Sequence, residues 1–275
     1  QVIVFAILVG VAILQAGDSG KTVLRGCQMI SDVIMRMVAI LMNLAPYGVF
    51  CLLAKLFTSQ GFSAIINLAL YFGTIVFVLF LHASAVYTSI FALLTRLNPL
   101  TLFKNMRPAL LFAFSTSSSN ATMPITLNVA RTRVGAHNSI ASFTIPLGAT
   151  VNMDGTAIMQ GIATVFIAQA YGLDLTMSEY LAVVATATLA SIGTAGVPGV
   201  GLITLAMVLQ QVGLPVEGIG LIIGVDRLLD MMRTVVNVSG DGMVTAVVAD
   251  SEGLLDRDVF NDLSDQDEHQ KVNAS

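Results

Sequence analysis

Apolar runs of about 20 residues or more constrain this chain most: Val33 to Phe57, Ile65 to Leu94 and Gly218 to Val248. Each is long enough to cross ~30 Å of hydrocarbon as a helix. A helix at the surface of a water-soluble domain would show polar residues at every third or fourth position, and these runs have no such faces. The same point argues against an enzyme with a large buried core. Composition agrees, with 55% apolar and 11% charged residues where a soluble domain carries about 25% charged. The expectation is an all-α membrane protein crossing the bilayer several times.

The net charge of −4 misleads about the membrane body, because Asp250 to Ser275 holds eight acids against two bases. Residues 1–249 are slightly basic, and 250–275 are expected to form an acidic, solvated and disordered cytoplasmic tail. Cys27 and Cys51 sit in or beside apolar runs without metal-ligand spacing and read as small apolar residues. The chain opens on Gln1 inside an apolar run with no basic leader, so further helices are expected to precede it.

Val2 to Leu14 is a half-span closed by turn residues Ala16 to Gly20 before Lys21 and Arg25. Val33 to Phe57 then crosses outward with Pro46 and Gly48 as a kink, and Ile65 to Leu94 returns to a basic loop holding Arg96, Lys104 and Arg107. Pro108 to Ala130 differs, since its apolar halves of about seven residues are too short to span and are split by the polar stretch Ser115 to Thr122. Basic residues at both ends place them on one face, which predicts a re-entrant hairpin whose serine-rich tip points into a site. Ser139 to Tyr171 reads as a crossing helix interrupted by Asn152-Met153-Asp154-Gly155-Thr156. An aspartate in hydrocarbon costs about 2.5 to 3.5 kcal/mol, which argues for a partner such as a bound cation.

A second hairpin follows, with Leu181 to Ala190 and Leu202 to Val212 flanking a tip from Ser191 to Gly201 too rich in Gly and Pro to stay helical. Hairpin then helix thus occurs twice in opposite orientation, the inverted-repeat plan of secondary transporters. The last helix, Gly218 to Ala249, carries Asp226, Asp230, Arg233, Asn237 and Asp241 within about 80° of one another, with Arg227 outside that stripe. Internal salt bridges among Asp226, Asp230 and Arg233 would leave Asn237 and Asp241 deeper in the span without a cation. Ionisable groups at that depth point to a site.

Ser117-Ser118-Ser119, Asn152-Met153-Asp154-Gly155-Thr156, the Ser191 to Gly199 tip and Asp230-x-x-Arg233-x-x-x-Asn237-x-x-x-Asp241 together resemble the glutamate transporter and sodium/dicarboxylate symporter family, up to about Ala249. The resemblance implies a trimeric elevator transporter in a cell membrane, with a bacterial inner membrane expected from the compact loops. It places scaffold and peripheral-core helices in 1–98, the substrate- and ion-carrying core in 99–249, and the second hairpin as outer gate. It implies a substrate amine on Asp230, a side-chain carboxylate on Arg233 beside Thr156, and an α-carboxylate on Asn237 and Ser119. Ser118, Thr234 and the backbone of Val197 and Gly201 complete that pocket.

The same resemblance gives one sodium ion to Asp241, Asn237 and the carbonyls of Gly148 and Asn152. A second falls to Thr150 with carbonyls of Ser191, Ile192 and Thr194, and a third to Asp154. Oxygen-only ligands suit sodium and not soft metals. The function implied is sodium-coupled uptake of acidic amino acids, with proton coupling or a C4-dicarboxylate substrate as the alternatives. Family members also carry an arginine where this chain has Ser117 or Met231, so Asp230 lacks a usual partner. An intramembrane aspartyl protease built on Asp154 and Asp241 would give Arg233 and both hairpins no role, so no enzyme, organic cofactor or nucleic-acid partner is expected.

Overall fold

The computed structural model describes residues 2–30 and 62–262, with Val33, Arg36, Met37, Tyr47 and Phe50 between them. The expected span Val33 to Phe57 therefore lies outside the continuously described residues. All regular elements among the described residues are helical, apart from one isolated antiparallel bridge between Ala136 and Leu255. The chain divides into two compact units, Gln1–Ser59 and Gln60–Ser275.

In the first unit α1 spans Val2–Gln15 and residues 17–30 are again helical (α2). The expected turn from Ala16 to Gly20 shrinks to Ala16 alone, because Gly17 takes a left-handed φ of 57° and the chain re-enters a helix at once. Lys21 pairs with Asp18 at 2.9 Å on its surface.

The second unit begins with a long rod made of α3 (Phe62–Leu81), a π-helical turn (His82–Tyr87) and α4 (Thr88–Thr95). Its stretch Ile66–Thr95 is, among the described residues, the one helix long and apolar enough to cross a membrane. At 1.5 Å per residue it reaches about 45 Å. Leu68, Tyr71, Ile75 and Leu79 fall on one side and are buried, whereas Ile66, Leu70, Phe77 and Phe80 on the other stay exposed. Both sides are apolar, so the rod has one face buried in the protein and one apolar face left exposed. It ends where Arg96 turns left-handed, and Asn98 caps the next helix by accepting from the Leu100 N–H, with Pro99 at the first helical position.

That helix, α5 (Pro99–Thr116), packs against α6 (Ser119–Thr132) across a two-residue turn. α7 (Asn138–Val151) and α8 (Asp154–Ala170) follow, separated only by Asn152 and Met153. α9 (Met177–Ser191) and α10 (Val200–Gln211) pack together as a second hairpin. A capping box starts α9. There the Thr176 backbone N–H and hydroxyl both donate to Glu179 and hold that exposed carboxyl below its usual range. A 3-10 turn (Val216–Leu221) leads into α11 (Ile223–Ser251), so the last long helix starts five residues later than its hydropathy suggests.

α11 is the axle of this unit, touching α3, α5, α6, α7 and α8. Beyond it, α12 (Arg257–Asn261) corrects the expectation of a disordered tail from Asp250. Phe260 is fully buried against Phe91, and its carbonyl accepts from the Asn105 amide at 2.9 Å. Arg257 bridges Asp250 and the Thr95 carbonyl, and the Leu254 carbonyl accepts from the His137 N–H. One aromatic side chain with backbone partners outweighs the acidic composition of this segment.

Candidate functional site

Asp226, Asp230, Arg233, Asn237 and Asp241 all lie at 5% exposure or less on α11, while Arg227 is exposed. Burying such groups is tolerated only with partners, and each partner is identifiable. Arg233 donates from Nε and Nη2 to Asp230 Oδ1, both at 2.9 Å, and from Nη1 to Asp226 Oδ1 at 3.3 Å. The second Asp230 oxygen accepts from the Gly199 N–H at 2.9 Å. Asp230 is thus held by Arg233 and by the tip of the second hairpin.

Asn237 uses its amide oxygen to accept from the Gly155 N–H at 2.8 Å, at the start of α8. Its nitrogen faces Thr156 Oγ1 at 3.4 Å and the Met153 sulfur at 3.2 Å. Gly155 has to be small, since a Cβ there would meet the Arg233 carbonyl at 2.6 Å. Gly201 has the same constraint from the other side, where a Cβ would sit 2.7 Å from the Arg233 guanidinium. The close approach of α8 to α11 depends on Gly155, and Gly201 leaves α10 room for the Arg233 side chain.

A cavity opens between the two hairpin tips, the α7–α8 break and α11. Ser117, Ser119, Met153, Thr156, Thr194, Gly196, Val197, Gly201, Asp230, Arg233, Thr234 and Asn237 line it. Of the residues expected at a substrate pocket, Ser119, Thr156, Val197, Gly201, Asp230, Arg233, Thr234 and Asn237 are therefore brought together. Ser118 is used differently. It caps α6, its hydroxyl accepting from the Ala121 N–H and donating to the Gly196 carbonyl at 2.7 Å, which ties the two tips. Its neighbour Ser117, left-handed at φ 53°, lines the cavity and has a buried hydroxyl without a hydrogen-bond partner among the described residues.

The residues expected around cations form two groups. Asp241 Oδ1 accepts from the Asn152 amide at 3.1 Å, and Gly148 lies so near that a Cβ would touch that oxygen at 2.4 Å. Asn237 joins them through its carbonyl, 3.5 Å from the Asn152 amide. In the second group the Thr150 carbonyl accepts from the Gly193 N–H at 3.1 Å, beside Ser191, Ile192 and Thr194. Thr150 contributes its backbone there, since its hydroxyl donates to Pro146 on its own helix. Asp154 stands apart, with one carboxylate oxygen held by His82 at 3.2 Å and Tyr87 at 3.0 Å. Among the described residues no three His, Cys, Asp or Glu side chains converge.

Sequence reasoning left out His82, Tyr87, Met153 and Gly196. His82 could have been found, because an ionisable ring inside an apolar run is as conspicuous as Asp154. Tyr87 and Gly196 could not, since their roles depend on which helices meet.

Two helical hairpins and a broken helix whose interruptions meet one buried polar stripe form the arrangement of a secondary transporter. The sequence profile of the sodium:dicarboxylate symporter family matches residues 1–251, and the chain belongs to that family. It is 40% identical over 247 residues to excitatory amino acid transporter 3 of Mus musculus, covering 90% of this chain and 47% of that protein. It is 39% identical over 249 residues to an excitatory amino acid transporter of Caenorhabditis elegans, at 90% and 50% coverage. The Homo sapiens excitatory amino acid transporter 3 is 40% identical over 247 residues, again with 90% of this chain and 47% of the relative covered. The chain spans about half the length of the curated relatives it matches.

Proposed function

We propose that this chain carries the substrate and ion sites of a secondary active symporter that takes up acidic amino acids with sodium. One observation supports this above the rest: Arg233 and Asp230 line the same cavity. A guanidinium suits bidentate capture of a carboxylate, and an ammonium in a dry pocket needs a carboxylate opposite it. A ligand with an amine and a distal carboxylate could exchange its own two charges for the Arg233–Asp230 pair, leaving Asn237 and Ser119 for the α-carboxylate. A neutral amino acid would leave Arg233 with Asp226 as its one carboxylate partner, and a dicarboxylate without an amine would bring no cation to Asp230.

Sodium enters this reading as cargo. One ion would sit with Asp241, Asn237, Gly148 and Asn152, a second with Thr150, Ser191, Ile192 and Thr194, and a third at Asp154. In the same reading residues 99–249 move as the transport core of a membrane-embedded trimer, an elevator against a scaffold that includes helices from 1–98. The hairpins are re-entrant, and the second is the gate. Because Asp230 also holds the Gly199 N–H, the amine-binding residue and the gate share an atom group. The names of the relatives, excitatory amino acid transporters, favour an amino acid over a plain dicarboxylate.

The test is uptake of labelled aspartate, glutamate and succinate by the full-length protein in proteoliposomes. Aspartate or glutamate should accumulate under an inward sodium gradient, with succinate left behind. Accumulation driven by a pH gradient without sodium would replace sodium by protons, and preferential uptake of succinate would overturn the amine assignment.

A further inference from the structure

Asp154 meets two partners outside the broken helix, and a local distortion supplies both. His82 and Tyr87 bound the π-helical turn of the rod. On a regular α-helix, residues five apart point about 140° away from each other. The wider π turn bonds i to i+5 and so stacks them; such turns recur at functional positions. Here the two rings touch edge to face with centroids 4.7 Å apart, and both reach the same oxygen, Asp154 Oδ2. A carboxylate oxygen can only accept, so His82 Nε2–H and the Tyr87 hydroxyl are the donors. Among the described residues, Asp154 Oδ1 has no hydrogen-bond partner.

The cluster is also wired to the α11 stripe. Gly240 of α11 leaves room for Tyr87, since a Cβ there would meet the Tyr87 hydroxyl at 2.6 Å and the Asn152 amide at 2.4 Å. That amide donates to Asp241. One packed contact surface therefore runs from the π turn through the α7–α8 break to the Asp241 group.

We propose that His82 and Tyr87 are positioning residues for a cation site at Asp154: they clamp Oδ2 and leave Oδ1 to face the ion. The inference rests on the reading of Asp154 as a sodium ligand and assigns to the rod a part in ion binding. Partners that fix a ligating carboxylate typically carry a tenfold or larger share of metal affinity, so their loss should appear in the ion dependence and not in the substrate contacts.

The experiment measures aspartate binding to the full-length protein at graded sodium concentrations, comparing wild type with His82→Ala, His82→Gln and Tyr87→Phe. His82→Ala should raise the half-maximal sodium concentration roughly tenfold, with aspartate affinity regained at saturating sodium. Tyr87→Phe should do so to a smaller degree. His82→Gln, whose amide N–H can replace Nε2–H, should return most of the way to wild type. A wild-type midpoint in His82→Ala, or a His82→Gln as impaired as His82→Ala, would overturn the positioning role while leaving sodium coupling intact. A wild type that binds aspartate without any sodium dependence would overturn both this inference and the reading it rests on.

Discussion

The two hairpin tips face each other across the cavity and are built on opposite principles. The first is two residues wide, Ser117 and Ser118, with the helix of its second arm starting at once and a serine hydroxyl as cap. The second runs from Ile192 to Gly199, eight residues with left-handed glycines at Gly193 and Gly199. Its backbone is satisfied partly within the hairpin, where the Thr194 and Val197 N–H groups donate to the Ser191 and Ala195 carbonyls, and partly by other elements: Thr150 takes the Gly193 N–H, Asp230 takes the Gly199 N–H, and Asn120 and Ser118 donate to the Gly196 carbonyl. The two tips share the Gly196 ties, but the second also hangs on Thr150 and Asp230, and those two bonds can be released by whatever competes for these partners. Of the two tips, the second is the one bonded to Asp230, and in the proposed reading a ligand amine at Asp230 competes for that bond.

Three substitutions break or sharpen that contrast, in decreasing order of effect. Arg233→Cys removes the cation between Asp226 and Asp230, and leaving buried charge uncompensated costs about 3–5 kcal/mol. Thermal unfolding in detergent should show a clear loss, and calorimetry should show no aspartate binding; wild-type affinity in this variant would remove Arg233 from the site. Gly196→Ala places a Cβ 2.9 Å from Asn120 Oδ1 and 3.0 Å from Ser119 Cβ, which pushes the tips apart. Hydrogen exchange at the Asn120 amide should speed up about tenfold if one such bond is lost, with exchange inside α5 and in α6 beyond its first turn unchanged. Ser118→Ala removes one tie between the tips and one cap, worth roughly 1 kcal/mol. The same exchange measurement should show a smaller gain, confined to residues 117–121 and 193–199.

The comparison also shows why some of this was legible in the sequence and some was not. The interruption at Asn152 to Thr156 and the Gly/Pro tip of the second hairpin stood out because polar or helix-breaking residues inside apolar runs have few explanations. The stripe on α11 followed from helical periodicity alone. The width of the first tip did not, because Ser119 to Thr122 can serve equally as loop or as first helical turn, and the Ser118 cap decides between them. The fold of 254–262 was hidden by its acids; Leu254, Leu255, Val259 and above all the fully buried Phe260 were the apolar clues to a docked helix. The pairing of Arg233 with both Asp226 and Asp230 depends on rotamers that spacing leaves open.

In the proposed reading the Asp241 group and the Arg233–Asp230 group are coupled, and the sodium dependence of aspartate binding in Asp241→Asn reads that coupling. Asn keeps the shape around Asn152 and Gly148 and loses the charge that would balance an ion. Because coupling between two bound species is reciprocal, the binding curve should move to higher sodium and reach wild-type aspartate affinity at saturation. A curve with an unchanged midpoint and a lower plateau would place Asp241 on the substrate instead and contradict the coupling.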